Sequence, residues 1–149
     1  MSVEVEVVRE STDEVVEAVT RLLPQLSGSA PAPDRESVDR LLRSEANTLL
    51  LARAEGRAVG MLTLIMFPLP TGLRGRIEDV VVDDAARGRG VGAALTARAP
   101  RLAEAAGART VDLTSRPARQ SANRLYERLG FQARDSQVHR FVVRPRGGP

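Results

Sequence analysis

The stretch EDVVVDDAARGRGVGAAL, residues 78–95, joins a β-branched run to an alanine-rich run through a turn with three glycines and two arginines. The first run is typical of a buried strand and the second of a helix. At such a turn, unpaired backbone N–H groups point in one direction, with the positive end of the helix dipole behind them. Glycine admits a ligand close to that backbone and arginine adds charge, which favours an anion, most often a phosphate. The alternative is a tight turn without a ligand, since a short glycine pattern is weak evidence alone.

Two familiar phosphate-binding loops fit this turn poorly. A dinucleotide site of the Gly-x-Gly-x-x-Gly kind needs its third glycine one position after Gly92. A Walker loop needs a lysine, and the sequence contains none. The turn therefore indicates a different phosphate-bearing ligand.

Length and composition predict one soluble domain spanning residues 1–149. The sequence is 42% hydrophobic and 28% charged, which is ordinary for a globular protein. It has no cysteine and a single histidine, His139, so we expect no disulfide, no cysteine nucleophile and no metal centre. No apolar run is long enough to cross a membrane, and the acidic start MSVEVEVVRE does not resemble a signal peptide. These features predict a cytoplasmic protein with no membrane partner.

The charge is distributed unevenly along the chain. Residues 1–50 hold 10 acidic residues and 5 arginines, whereas residues 51–149 hold 9 and 17. An acidic half and an anion-binding half follow as a hypothesis. Nucleic acid is an alternative anion, but aromatic residues make up only 3% of the chain and no reader motif is present. We therefore expect no nucleic-acid partner.

Periodicity and turn residues predict a mixed α/β protein, with a central mixed sheet and helices on both faces. Strands are expected at residues 3–10, 48–54, 58–67, 76–82 and 110–114, and helices at 11–23, 34–45, 90–106 and 121–130. Two further strands, at residues 131–135 and 139–144, are expected to close the sheet as a hairpin.

Local signals refine the element ends. Ser11 and Glu14 have the spacing of a capping box, and Ser121 is expected to cap the last helix. The stretch PLPTGLRG, residues 68–75, is expected to form a loop because of its prolines and glycines. Pro100 is expected to kink the helix after the glycine turn, since an interior proline costs roughly 3 kcal/mol.

The chain resembles the GNAT family of N-acetyltransferases over nearly its whole length. The acetyl-CoA signature of that family, Arg/Gln-x-x-Gly-x-Gly/Ala, is matched by Arg87, Gly90 and Gly92. The preceding IEDVVVDDAA and the later SANRLYERLGF also resemble the family, in the same order and at the expected distance.

The resemblance implies a GNAT-like fold and transfer of an acetyl group from acetyl-CoA to an amine. It implies that the turn binds the pyrophosphate through Arg87, Gly88, Arg89, Gly90, Val91 and Gly92. The backbone of Val80, Val81 and Val82 would pair with the pantetheine arm like an added strand. Asn123 would contact the pantetheine, and Tyr126 would protonate the departing thiolate.

The chemistry agrees with the residues available. Direct transfer needs no cysteine; it needs a neutral amine, a donor for the carbonyl oxygen and an acid for the leaving sulfur. Tyr126 is the only tyrosine, and tyrosine is protonated at neutral pH because its reference pKa is about 10. The structural alternative is a helix residue whose ring packs in the core.

The sequence leaves open the roles of the two acidic residues that precede the apolar run. In a regularly alternating strand, Glu78 and Asp79 point to opposite faces, so only one of them would face the site. Glu78 is a general base, an amine anchor or a solvated strand residue. His139 is expected at the surface or in the closing hairpin.

The sequence leaves the acceptor open. A small-molecule amine and a peptide or protein amine are both compatible, and a homodimer is one expectation for the assembly. The contrasting hypothesis is a catalytically silent module that binds acyl-CoA. The expected acceptor-side segments are residues 22–45, 68–75 and 137–141.

Overall fold

The computed structural model describes residues 2–144, and these form one five-stranded sheet with helices packed against both faces. The elements are β1 (Glu4–Val8), α1 (Asp13–Leu26), α2 (Arg35–Arg43), β2 (Asn47–Ala54), β3 (Arg57–Leu69), β4 (Gly72–Val82), a 3-10 turn (Asp84–Ala86), α3 (Val91–Ala105), β5 (Thr110–Asp112) and α4 (Gln120–Arg128). The strands lie in the order β1-β2-β3-β4-β5. All neighbouring pairs are antiparallel except β4 and β5, which are parallel and joined through α3. The predicted mixed sheet is confirmed.

Two hydrophobic cores lie on opposite faces of this sheet. β2 explains why, because its run of leucines is buried on both sides: Leu50 packs into the core beneath α3, whereas Leu49 and Leu51 pack into the core beneath α1 and α2. Each buried leucine contributes roughly 1.5–3 kcal/mol of hydrophobic stabilisation. A strand that is buried on both faces loses the alternation of polar and apolar residues.

The start of α1 differs from the prediction. Thr12, not Ser11, is the N-cap, and its hydroxyl accepts a hydrogen bond from the Val15 N–H at 3.2 Å. The Ser11 hydroxyl instead donates to Asp39, on α2. The other half of the expected capping box, Glu14, forms an ion pair with Arg53 on β2. The polar residues before α1 therefore tie together neighbouring elements.

The hairpin of β3 and β4 extends through the segment predicted to be a loop. β3 continues to Leu69 and β4 begins at Gly72, so the turn contains only two residues. Pro68 is tolerated within β3 because β2 pairs no further than Ile65. Beyond that point β3 has β4 as a neighbour on one side only, and a missing N–H on the other edge removes no ladder hydrogen bond.

α3 packs closely on the sheet and runs through Pro100. Its buried side chains include Val91, Leu95, Ala99 and Ala103, which give a continuous apolar stripe. A Cβ on Gly60 of β3 would lie 2.7 Å from a Val91 methyl, so glycine at that position permits the close approach of helix and sheet. The proline removes one backbone hydrogen bond, and the packing of this stripe maintains the helix to Ala105.

The end of the described chain differs most from the prediction. α4 begins at Gln120 after the N-cap Arg119, so Ser121 lies inside the helix. The predicted closing hairpin is absent from residues 131–144, where no strand is formed. β5, with three residues, is consequently the last strand of the sheet within the described chain. No helix in residues 2–144 is long and apolar enough to cross a membrane.

Candidate active site

β4 extends well beyond its short neighbour β5. The two strands pair only where Arg74, Gly75 and Arg76 face residues 110–112. Further along β4, residues 78–82 pair with β3 on one side and with no strand of the described chain on the other. This second edge, which includes the predicted site residues Val80, Val81 and Val82, therefore offers backbone N–H and C=O groups to an extended ligand.

A β-bulge interrupts β4 beyond the part that pairs with β5. Met61 of β3 pairs with Val81 of β4, and Thr63 of β3 pairs with Glu78 of β4. The single residue between Met61 and Thr63 therefore lies opposite two residues of β4, Asp79 and Val80. Asp79 has a φ of 52°, in the left-handed region that few residues other than Gly, Asn and Asp adopt. A bulge of this kind bends the strand and redirects its side chains.

The bulge places both carboxylates on one face of the sheet. Glu78 lies directly opposite Thr63, which faces α1 and α2, and Asp79 lines the same cavity between the sheet and these helices as Thr63 does. The expectation that Glu78 and Asp79 point to opposite faces is therefore wrong. The extra residue shifts the alternation, and Val80 returns to the α3 face.

Glu78 is held by an arginine on its own strand. The Arg76 guanidinium donates to the Glu78 carboxylate at 2.9 Å and to the Thr114 hydroxyl at 2.6 Å. Arg76 thus links β4 to the segment after β5, on the side where the two strands separate. A charge-assisted contact of this kind fixes the orientation of the Glu78 carboxylate.

Asp79 lines a cavity of about 160 Å³ between the sheet, α1 and α2. Partial burial raises the pKa of the Asp79 carboxyl, and the neighbouring Glu78 carboxylate raises this pKa further. A carboxylate in such surroundings is stabilised by a cation placed beside it. Asp79 was not among the sequence-predicted site residues, because its position depends on the bulge.

The glycine turn leads into α3 without a side-chain cap. Gly88 and Gly90 have φ values of 79° and 81°, and a Cβ built on either glycine would meet no atom within 4 Å. Gly90 is the N-cap of α3, and no side chain bonds to the N–H groups of the first turn. These N–H groups and the open space beside the turn suit an anionic group, and the role of Val91 and Gly92 in binding it stays a prediction.

The turn is anchored from the opposite side of the sheet. Asp83 is buried, and its carboxylate accepts from Arg21 at 2.9 Å and from the Ala85 N–H at 3.1 Å. Arg21 also donates to the Ala58 carbonyl oxygen at 2.8 Å, joining α1, β3 and the turn. The hydrogen-bonded pair of Arg21 and Asp83 fixes the position of the backbone where the turn begins.

The turn arginines and the α4 residues have contacts of their own. Arg87 forms an exposed ion pair with Asp84 at 2.9 Å. The Asn123 side-chain amide donates to the Arg116 carbonyl oxygen at 3.0 Å, which ties α4 to the preceding loop. Tyr126 is half-buried, and its ring meets Phe131 edge to face at 6.0 Å between centroids. Phe131 packs in turn against the core beneath α3.

Ser115 is a polar residue that the sequence interpretation did not select. It follows Thr114 on the segment after β5, and its hydroxyl oxygen is buried without a hydrogen-bond partner in the described chain. A buried unpaired hydroxyl is costly unless a ligand or water pairs with it. Its position at the end of a strand was the available signal. His139 is exposed, and residues 2–144 contain no cluster of side chains suited to a metal ion.

Comparisons with known proteins agree with this geometry. The profile of the acetyltransferase (GNAT) family matches residues 14–131. The chain belongs to this family. A comparison with curated proteins found no match.

Solved structures share the fold over almost the whole chain. An acetyltransferase from Trypanosoma brucei is 28% identical with a TM-score of 0.77, covering 95% of this chain and 100% of that one. A ribosomal-protein-alanine N-acetyltransferase from Brucella melitensis is 26% identical with a TM-score of 0.73 and the same coverage. The fold also matches AAC(6')-Iy, solved with a CoA-containing bisubstrate analogue, at 18% identity and a TM-score of 0.78, covering 97% and 100% of the two chains.

Proposed function

We propose that the protein is an N-acetyltransferase that moves the acetyl group of acetyl-CoA directly to a primary amine. The observation that supports this most strongly is the unpaired edge of β4, which runs from the bulge at Asp79 towards the uncapped start of α3. One ligand with an extended amide-containing arm and a pyrophosphate would pair with both features.

Acetyl-CoA supplies the activated acetyl group and a thiolate leaving group. Its pyrophosphate would accept hydrogen bonds from the N–H groups of the turn, with Gly88 and Gly90 leaving room for close approach. Arg87 and Arg89 would add positive charge, Arg87 after exchanging its contact with Asp84. The pantetheine amides would pair with the edge formed by residues 80–82, and Asn123 is proposed to contact the same arm.

The transfer forms one C–N bond and breaks one C–S bond. The attacking nitrogen loses a proton and the leaving sulfur gains one, so the protein must accept one proton and donate another. We propose that Tyr126 donates the proton to the sulfur. The backbone N–H groups at the bulge would stabilise the negative charge that develops on the acetyl oxygen.

The two carboxylates at the bulge have different surroundings, which supports different roles. Asp79 lines the cavity and lacks the arginine contact that Glu78 has, so we propose that it receives the amine. The ion pair with Arg76 holds the Glu78 carboxylate in place, which favours a positioning role for Glu78. An amine held against carboxylates can pass its surplus proton to them or to water before attack.

Free thiol release tests the proposal directly, because a protein without cysteine adds no thiol of its own to the assay. We expect acetyl-CoA to bind in isothermal titration and CoA to be released only when an amine is added. Binding without release on a broad panel of amines would instead identify a silent acyl-CoA-binding module. Absence of acetyl-CoA binding would refute both.

A homodimer is proposed from the C-terminal segment. Val138, Phe141, Val142 and Val143 are large apolar residues with 66–89% of their surface exposed. The same chain carries an unpaired strand edge at β5. In a two-fold dimer, residues 138–143 of one copy could pair with the open β5 edge of the other copy. Such an exchange would bury the apolar segment and would also supply the β5 edge with a neighbouring strand. A cytoplasmic location remains a prediction from the sequence.

A further inference from the structure

The cavity beside Asp79 is lined mainly by carbon. Seven of its ten lining residues are apolar, and they come from α1, the loop before α2, α2 and the sheet. Leu23 and Leu41 approach from the two helices, and Met61 forms part of the floor on β3. The remaining polar groups, apart from Asp79, are the hydroxyls of Ser37 and Thr63. A ligand in this cavity would therefore contact an apolar wall over most of its surface.

Asp79 is the only ionisable residue among those that line the cavity. The nearest described cation on the same strand, Arg76, donates to Glu78 and Thr114 and does not line the cavity. Among residues 2–144, the cavity thus complements one positive charge and offers no cation for a phosphate or carboxylate. Beyond the hydroxyls of Ser37 and Thr63, the described residues offer no further polar side chain in the cavity, so most hydroxyls and any additional charge on the ligand would lose water without gaining partners.

The volume indicates the size of the part of a ligand that the cavity walls can surround. A dry cavity of about 150 Å³ lined by Leu, Ile and Phe side chains accommodates benzene. The cavity beside Asp79 has about 160 Å³, so a six-membered ring or a branched chain of similar size fits.

We propose that the acceptor is a primary amine on an apolar body of about six carbons, with the nitrogen at Asp79 and the body between α1 and α2. This inference depends on the acetyltransferase activity proposed above. It excludes phosphorylated and polyhydroxylated amines as preferred acceptors. Asp79 directly precedes Val80, the first residue of the β4 edge proposed to pair with the pantetheine arm. An amine bound at Asp79 would therefore lie beside the bulge, where the acetyl group is proposed to bind.

A matched pair of amines tests the inference. Cyclohexylamine and glucosamine both carry a primary amine on a six-membered ring, but only glucosamine carries hydroxyl groups that the cavity leaves unpaired. We expect kcat/KM for cyclohexylamine to exceed that for glucosamine at least 100-fold, measured by thiol release at saturating acetyl-CoA. Glucosamine 6-phosphate should be poorer still, since no cation lines the cavity.

Two variants of α1 test whether the cavity determines the preference for cyclohexylamine over glucosamine. Leu23 lines the cavity and is half-buried, so Leu23→Gln introduces a polar group of similar size. It should lower kcat/KM for cyclohexylamine at least fivefold and reduce the ratio between the two amines. Leu26→Gln, three residues further along the helix at a position 39% exposed and outside the cavity, should change neither value. Circular dichroism melts and acetyl-CoA affinity verify that both variants fold.

The outcomes separate the inference from the function on which it depends. Equal or faster transfer to glucosamine, or an unchanged ratio in Leu23→Gln, would overturn the apolar acceptor and leave the acetyltransferase intact. Acetyl-CoA binding with no transfer to any amine would overturn the acetyltransferase itself.

Discussion

Substitution of Gly90 separates the shape of the phosphate site from its charge. Gly90 has a φ of 81° and open space where a Cβ would stand. Asn and Asp tolerate this backbone region better than other side chains and have the same shape. Gly90→Asn should therefore cost about 1 kcal/mol of stability, or about 2–4 °C in Tm for a chain of this size. Its side chain would enter the space assigned to the pyrophosphate and weaken acetyl-CoA binding at least about tenfold.

Gly90→Asp adds a negative charge to that same shape. A phosphate charge about 4 Å away would be repelled by about 4 kcal/mol at an effective dielectric constant near 20, which corresponds to nearly 10³-fold in Kd. Gly107→Asn is the matched strain control, because Gly107 ends α3 with a φ of 88° and equally open space. It should lower Tm like Gly90→Asn and leave Kd unchanged. Isothermal titration that finds the same Kd for wild type, Gly90→Asn and Gly90→Asp would refute the phosphate assignment.

Three other perturbations address the remaining assignments. Tyr126→Phe keeps the ring contact with Phe131 and removes the hydroxyl. We expect kcat to fall about 10²-fold while the Kd for acetyl-CoA stays almost constant. A variant with the wild-type kcat would show that Tyr126 contributes only packing. Asp79→Asn should raise Tm near neutral pH, because burial raises the pKa of this carboxyl and its charged form therefore destabilises the folded state. The gain in Tm should vanish below about pH 4, where the carboxyl is also protonated in the unfolded chain. Thermal melts in which wild type and variant do not converge at low pH would contradict this prediction. Phe141→Ser should shift the protein from dimer to monomer in light scattering coupled to size exclusion, whereas a monomeric wild-type protein would rule out the exchange.

The sequence was sufficient to predict features whose cause is local. Positive φ at Gly88 and Gly90 favours glycine, and the β-branched run before them favours a buried strand, so the turn and α3 are found where the pattern indicates. The order of the elements up to α4 follows from such signals. The turn of the β2–β3 hairpin lies at Glu55 and Gly56, both of which have positive φ, and of the two only Gly56 is a signal for such a turn.

Features that depend on pairing between distant segments could not be predicted. The bulge at Asp79 exists because β3 and β4 pair with one residue opposite two, and neither strand alone specifies that register. The grouping of Asp79 with the cavity between α1 and α2 depends on this register. The strands expected within residues 131–144 do not form, because strand propensity alone gives no strand unless the segment pairs with an edge, and this segment leaves the β5 edge unpaired within the described chain.

The left-handed backbone at Asp79 also affects how the protein would respond to selection. A carboxylate at a φ of 52°, with its pKa raised by burial, opposes folding twice at one position. Glycine or asparagine there would relieve one or both costs. A library selected only for thermal stability should therefore enrich these two residues at position 79 and lose acetyl transfer as it does so. Under selection for activity, the same position should remain aspartate, and compensating stabilisation would accumulate elsewhere in the chain.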